Sequence, residues 1–437
     1  MTVRPTNSLK GLSELRHRLM LLLLGILIYR IGAHVPVPGL DPIKLAEFFA
    51  RQQGGILGLF NMFSGGALQR LTIFALGVMP YISSSIIVQL LTVVLPSLEV
   101  LKKEGASGRR KISQYTRYGA LALGLLQSAG IAKWLSNAGI VMMPGWHFYF
   151  ICIVTLTAGS MFLMWLGEQL SEHGIGNGIS ILIFISIVSR FPSAVAQVLT
   201  RVRQGQMQMI TVFILLALVL LVTAAVIFFE RGQRQIKVSY ARRQSMQNLD
   251  NRSGYVPSSN LPLKINLAGV IPPIFASSVV LFPAAIFQWF GNAKGVGILA
   301  RLGAALSVGK PLYLIIYTAA IIFFCYFYTA LMFNPKDIAD NLKKSGAFVP
   351  GIRPGENTAN YLDTVITRLT LFGAVYITTI SLLPDILMLV WHMPFHFGGT
   401  SLLIVVSVLM EFIEQVQSYL MSARYSNIMK KSKFSFK

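Results

Sequence analysis

The sequence predicts an all-α polytopic membrane protein with ten transmembrane helices in two five-helix halves and a re-entrant helix in the first half. Three observations carry that prediction: composition, a series of long apolar windows, and the distribution of basic residues between them. Of 437 residues, 54% are hydrophobic and 12% charged, and mean hydropathy is +0.63. A soluble globular chain is about a quarter charged, so this composition excludes a soluble enzyme, a disordered tail protein and a disulfide scaffold. Cys152 and Cys325 both lie in apolar stretches, which argues against a disulfide or a CxxC metal site. The net charge of +22 would suit nucleic acid binding in a soluble protein. In a membrane protein it is read as basic loops on the cytoplasmic face, with no direct DNA binding.

A helix needs about 20 mostly apolar residues to cross a bilayer. The windows that qualify, or nearly do, are 19–35, 72–95, 115–135, 148–167, 177–192, 208–229, 265–290, 311–333, 369–390 and 400–421. The first, behind Arg16 and Arg18, resembles a signal peptide. Its C-terminal flank, Gly32-Ala33-His34-Val35-Pro36, offers no small-x-small cleavage site, so it is taken as the first span. The fifth is weak, opening at Asn177-Gly178 and ending at Arg190-Phe191-Pro192.

Loop charge tests that fifth span. With ten spans and both termini cytoplasmic, 27 of the 38 Lys and Arg residues fall inside and 11 outside. Deleting the fifth span changes the split to 16 inside and 22 outside, against the positive-inside rule. Ten spans divide as five plus five, 1–200 and 201–437, with the break in the outer segment 193–207. An odd number of spans per half would place two similar halves upside down relative to each other. The inside loops 230–264 and 334–368 are long and basic. They either dock a cytosolic partner or only enforce topology and touch anionic lipid headgroups.

The central parts of nearly all spans lack the ionisable groups that a pump or ion-coupled transporter places there. Only Glu411 and Glu414 intrude, in the cytoplasmic half of the last span, and are read as an interfacial pair facing neighbouring helices. His392 and His396 have the i, i+4 spacing of zinc ligands, but Pro394 between them opposes the aligning helix, and no metal site is expected. Gly174-Ile175-Gly176-Asn177-Gly178 opens a span and follows no strand, which excludes a nucleotide loop. No Walker motif occurs, and neither a cofactor nor an enzymatic activity is expected.

Two apolar details stand out. Val78 and Ile82, and likewise Ile179 and Ile183, are four residues apart and share a helix face. Such pairs serve either ordinary packing or a constriction that gates by excluding water. Segment 54–70 is apolar, rich in glycine and too short to span. It reads as a half-helix dipping back from outside, since irregular backbone at membrane depth must be buried in protein or line a cavity. The alternative is an exposed amphipathic loop.

Over essentially its whole length the chain resembles the SecY family of bacterial protein-conducting channel subunits. The resemblance rests on Phe60-Asn61-Met62-Phe63-Ser64-Gly65-Gly66-Ala67, on Met79-Pro80-Tyr81-Ile82-Ser83 and on 105–118, which opens Gly105-Ala106-Ser107-Gly108-Arg109. It rests also on Gly174-Ile175-Gly176-Asn177-Gly178-Ile179-Ser180, Ala268-Gly269-Val270-Ile271-Pro272 and 347–355, which ends Arg353-Pro354-Gly355.

The resemblance implies roles. Segment 54–70, with Phe60, Asn61, Met62, Phe63, Ser64, Gly65 and Gly66, would be the plug closing the channel from outside. Val78, Ile82, Ile179, Ile183, Ile274 and Ile404 would form the pore constriction, with valine at 78 where isoleucine is common. A lateral gate would lie between spans two and seven, where Gln89, Gln127, Ser277 and Ser278 are placed to hydrogen-bond across the closed seam or to bond ordinarily between helices. Signal sequences and transmembrane segments of nascent polypeptides would pass there into lipid. The basic loops would dock the motor ATPase SecA and the ribosome, through Arg353, Arg242 and Arg243. SecE and SecG would be membrane partners in the cytoplasmic membrane. Without the resemblance, the rivals are an inverted-repeat secondary transporter of a small solute and a membrane receptor that recruits a cytosolic partner.

Overall fold

Each of the ten apolar windows holds a helix in the computed structural model, which describes residues 9–51, 61, 64–142, 145–205, 208–240, 258–290, 310–391 and 399–434. In the N-terminal part these helices are α1 (Leu9–Gly32), α3 (Met79–Val94), α5 (Ala106–Asn137), α6 (Trp146–His173) and α7 (Gly178–Val188). In the C-terminal part they are α9 (Met209–Arg231), α10 (Ile271–Phe290), α11 (Pro311–Met332), α13 (Glu356–Trp391) and α14 (Gly399–Phe434). Shorter helices occupy connections: α2 (Pro42–Arg51), α4 (Pro96–Lys103), α8 (Phe191–Arg203) and α12 (Pro335–Lys344).

Among the described residues, six helical stretches are long and apolar enough to cross a membrane. A seventh joins them if α3 and α4, bent by 98° at their junction, form one span. The bend has a local cause: Leu95 precedes Pro96 and takes an extended conformation, as a residue before proline favours. The weak fifth window is among the six, because α8 prolongs α7 and the stretch Gly178–Arg203 is long enough. Of the others, α1 carries Arg16, Arg18 and Arg30, and α5 dilutes its apolar run with Gly119, Gly124, Gln127 and Ser128.

The chain is not all-α. The two basic loops contribute β1 (Gln233–Tyr240), β2 (Ser258–Lys264) and β3 (Ala347–Phe348), an antiparallel sheet of order β2-β1-β3. Ile236 faces Leu261 and Ser239 faces Phe348 in its register. The physical reason is alternation: Ile236 and Val238 point to one face and are buried, while Lys237 between them is exposed. Ile236 packs with Leu263, Val349 and Leu362 in a small core separate from that of the membrane helices.

The described helices of the two parts meet along two seams. On one, α10 packs against α3 and α5; on the other, α14 packs against α1 and α7. The α6–α7 hairpin depends on glycine. A Cβ at Gly178 would strike the Gly167 carbonyl, and Gly176 takes φ +87°. Asn177 then caps α7, its side chain accepting from the Ile179 amide at 3.1 Å. The glycine-rich segment is thus a tight connector between two closely packed helices.

Candidate constriction and plug

The branched aliphatics singled out in the sequence come together. Val78 stands immediately before α3 and Ile82 one turn into it. Ile183 lies in the middle of α7, Ile274 in the first turn of α10 and Ile404 near the start of α14. All five are buried in one apolar cluster. Ile179 is half-buried against that cluster, close to Gly167 of α6. Ile187, one turn beyond Ile183, is buried in the same cluster and was passed over in the sequence. Its i, i+4 spacing from Ile183 was the signal. Such side chains offer no hydrogen bond to water or to a passing peptide, so a narrow gap between them dewets.

The described residues of the re-entrant segment, Asn61 and 64–70, are tied to α1 and α7 by hydroxyl groups. The Tyr29 hydroxyl donates to the Ser64 carbonyl at 3.2 Å and lies 2.6 Å from Ser186 Oγ. Ser189 Oγ reaches the Gly65 carbonyl at 3.4 Å, a weak contact beside its 2.8 Å bond to the Ser186 carbonyl. Inside the segment, Asn61 Oδ1 accepts from the Gln69 amide at 3.0 Å, and the Gly66 amide donates to the Asn61 carbonyl at 2.9 Å. Gly65 takes φ +66°, and a Cβ there would come within 3.0 Å of the Ser186 backbone. Asn61 and Ser64 are buried. Phe60, Met62 and Phe63 lie outside the described residues.

The four polar groups assigned to a gate lie near the α3/α5–α10 seam, but no bond between them is formed across it. Gln89 Nε2 donates to Ser85 Oγ on its own helix at 3.2 Å. Ser277 and Ser278 both donate to the Ile274 carbonyl, at 2.8 and 2.9 Å. Gln127 is buried, and its Oε1 has no partner among the described residues. Helical serines satisfy themselves on the preceding turn, as Ser277 and Ser278 do here.

At the basic loops, Arg353 is exposed just past a turn in which the Ile352 amide donates to the Val349 carbonyl. Gly351 and Gly355 take φ +83° and +110° on either side of it. The Arg353 carbonyl accepts from Thr358 Oγ1 at 2.9 Å, which anchors the loop to the start of α13. Arg242 and Arg243 lie outside the described residues, as do His392 and His396. Among the described residues no cluster of ligating side chains could hold a metal ion. Of the two acidic residues in the last span, Glu414 pairs with Lys264 at 2.8 Å and Glu411 is exposed. A carboxylate that the sequence reading missed, Glu230 at the end of α9, is buried and accepts from Asn266 Nδ2 at 2.8 Å.

A bundle of apolar helices with a buried aliphatic cluster and a short glycine-rich segment tied beside it is the architecture of a polytopic membrane protein. The SecY family model matches residues 72–413. The protein translocase subunit SecY of Pseudomonas aeruginosa is 55% identical over 422 residues, covering 97% of this chain and 95% of that protein. The corresponding subunit of Vibrio cholerae is 56% identical over 427 residues, covering 97% and 95%. The fold is similar to a solved protein-conducting channel, with a TM-score of 0.69 at 18% identity over 94% of this chain and 93% of that one. It is also similar to Sec61 in a canine ribosome–channel complex, with a TM-score of 0.65 at 17% identity over 94% and 93%. The chain belongs to the SecY family, whose curated relatives are protein translocase subunits.

Proposed function

We propose that the chain is the pore through which unfolded polypeptides cross the cytoplasmic membrane, and from which transmembrane segments pass sideways into lipid. The observation that carries this reading is the burial of Val78, Ile82, Ile183, Ile274 and Ile404, from four separate helices, in one cluster. Ile179 joins them at its edge. Shut, such a gasket is too narrow and apolar for ions; around a peptide it yields without reading sequence, because it makes no directed bonds. The plug, 54–70, covers it from outside. The α3/α5–α10 seam, with Gln89, Gln127, Ser277 and Ser278, is the lateral gate.

On this reading the chain has ten spans in two halves, 1–200 and 201–437, with both termini in the cytoplasm. The chain supplies the path and the energy comes from partners. SecA and the ribosome dock on the basic loops, with Arg353 presented outward on its turn and Arg242 and Arg243 on the preceding loop. SecE and SecG stand alongside in the membrane, and anionic headgroups meet the remaining basic residues. The test is protease protection of a signal-bearing precursor in proteoliposomes with SecE, SecG, SecA and ATP, comparing wild type with Arg353→Glu. Protection by wild type and a large loss in a normally inserted variant is expected. Equal protection removes Arg353 from motor docking, and no ATP-dependent protection by wild type overturns the channel reading.

A further inference from the structure

Glu230 lies where the cytoplasmic sheet meets the helix that carries Ile274. Strand β2 ends at Lys264 and α10 starts at Ile271, so six residues, 265–270, join sheet to pore helix. That connector is fixed on several sides. Lys264 pairs with Glu414 of α14 at 2.8 Å, and the Ile265 amide donates to the Gly232 carbonyl at 2.9 Å. Asn266 Nδ2 donates both to Glu230 Oε1 at 2.8 Å and to the Gly269 carbonyl at 3.2 Å. Gly373 of α13 leaves room for the connector, since a Cβ there would come 3.1 Å from the Ile265 carbonyl oxygen. Gly269, at φ +64°, then turns the chain into α10.

These attachments are not equivalent. Lys264–Glu414 is exposed at both ends, and surface pairs contribute little. Glu230 and Asn266 are 9% and 5% exposed, and Asn266 Oδ1 has no partner among the described residues. Asn266 is one of two side-chain donors to Glu230, Ser407 of α14 being the other, and a buried carboxylate that loses a donor is destabilised, so this bond resists separation of the two groups.

We propose that the Glu230–Asn266 hydrogen bond is a positioning pin: it ties the connector between β2 and α10 to the end of α9, next to the start of β1, so that a push on the basic loops reaches Ile274 through a fixed connector. The path continues outward through β1, which pairs with β2 from Gln233 to Ser239 and with β3 at Ser239 and Tyr240. Strand β3 precedes the turn that presents Arg353. The pin touches no substrate. It rests on the channel reading given above.

The test uses proteoliposomes of the full chain with its membrane partners and the cytosolic ATPase. Wild type is compared with Asn266→Ala, Glu230→Ala, the double alanine variant and Glu230→Gln. The readouts are precursor protected per ATP hydrolysed, ATPase affinity for the channel, and inserted channel. Each alanine variant is expected to lower the first readout roughly fivefold or more with affinity unchanged. The double variant is expected to be no worse than either single one. Glu230→Gln, which keeps an acceptor for Asn266, is expected to stay near wild type. An unchanged ratio per inserted channel, an additive loss in the double variant, or a Gln variant as poor as the alanine one overturns the pin. If the alanine variants insert poorly, Asn266→Ser is read by the same ratio. Wild type without ATP-dependent protection overturns the channel reading, and the pin with it.

Discussion

Tyr29 and Ser186 meet hydroxyl to hydroxyl at 2.6 Å, between α1 and α7 and directly beneath the Ser64 carbonyl. Ser186 Oγ is also within 2.7 Å of the Leu182 carbonyl of its own helix. These three contacts share two hydroxyl hydrogens. When Tyr29 donates to Ser64, Ser186 must choose between Tyr29 and Leu182, so the bond that holds the re-entrant segment can be exchanged without leaving α7 unsatisfied.

Tyr29→Phe removes that exchange and leaves the Ser64 carbonyl without its tyrosine donor. That carbonyl still accepts from the Ala67 amide at 3.2 Å, so the loss is that of one net hydrogen bond, about 0.5–1.5 kcal/mol. The closed state is expected to weaken enough to raise the resting ion conductance of the unoccupied channel by up to roughly tenfold. Single-channel recording in planar bilayers measures it, and unchanged conductance would mean the knot does not hold the segment.

Val78→Thr keeps the shape of the side chain and adds a hydroxyl to the buried cluster. A polar group in an apolar constriction favours water there. More frequent ion-conducting openings are expected, with insertion of the protein unchanged. Conductance equal to wild type would place Val78 in ordinary packing and outside the constriction.

Gly178→Ala forces a methyl group against the Gly167 backbone, and neither helix can yield by rotating a side chain. A loss of about 1–3 kcal/mol is expected from such overpacking. Gly145→Ala is the control, because an added Cβ there meets nothing within 4 Å and the backbone is extended. Thermal unfolding in detergent should separate the two variants; equal midpoints would refute the close α6–α7 contact.

Val238→Asp places a carboxylate at a buried position of β1, on the same face as Ile236. Without a partner there, it disrupts the sheet. ATP-driven translocation is expected to fall sharply while the membrane helices still insert. Limited proteolysis should cut the variant within the strands, 233–240 and 258–264, and spare wild type there, and identical digestion of those strands would contradict this role of the sheet.

The helices were legible because a bilayer imposes one composition rule on every span, and each of the ten windows holds a helix. Of the residues assigned to a constriction, the pairs Val78/Ile82 and Ile179/Ile183 stood out through i, i+4 spacing; Ile274 and Ile404 were reached only through family resemblance. The sheet was missed because the two basic loops were read for charge, although Ile236-Lys237-Val238-Ser239-Tyr240 alternates as a half-buried strand does. The four polar groups assigned to a gate make no bond to one another among the described residues: Ser277 and Ser278 donate to the Ile274 carbonyl, and Gln89 to Ser85, each on its own helix. Glu230 escaped because burial of one carboxylate at a helix end leaves no pattern in sequence. Its partner is 36 residues distant.

Helices α13 and α14 are each 36 residues long and α5 is 32. At 1.5 Å per residue they measure about 54 and about 48 Å, against roughly 30 Å of hydrocarbon. On the proposed orientation all three overshoot on one side, since the polar stretches opening α5 and α13 and closing α14 share the cytoplasmic face. On that orientation, helical posts about 14 to 20 Å tall would stand proud of the cytoplasmic face. A cytosolic machine cannot lie flush with the membrane here: it must reach down between the posts, or meet their tips and feed its cargo across the gap.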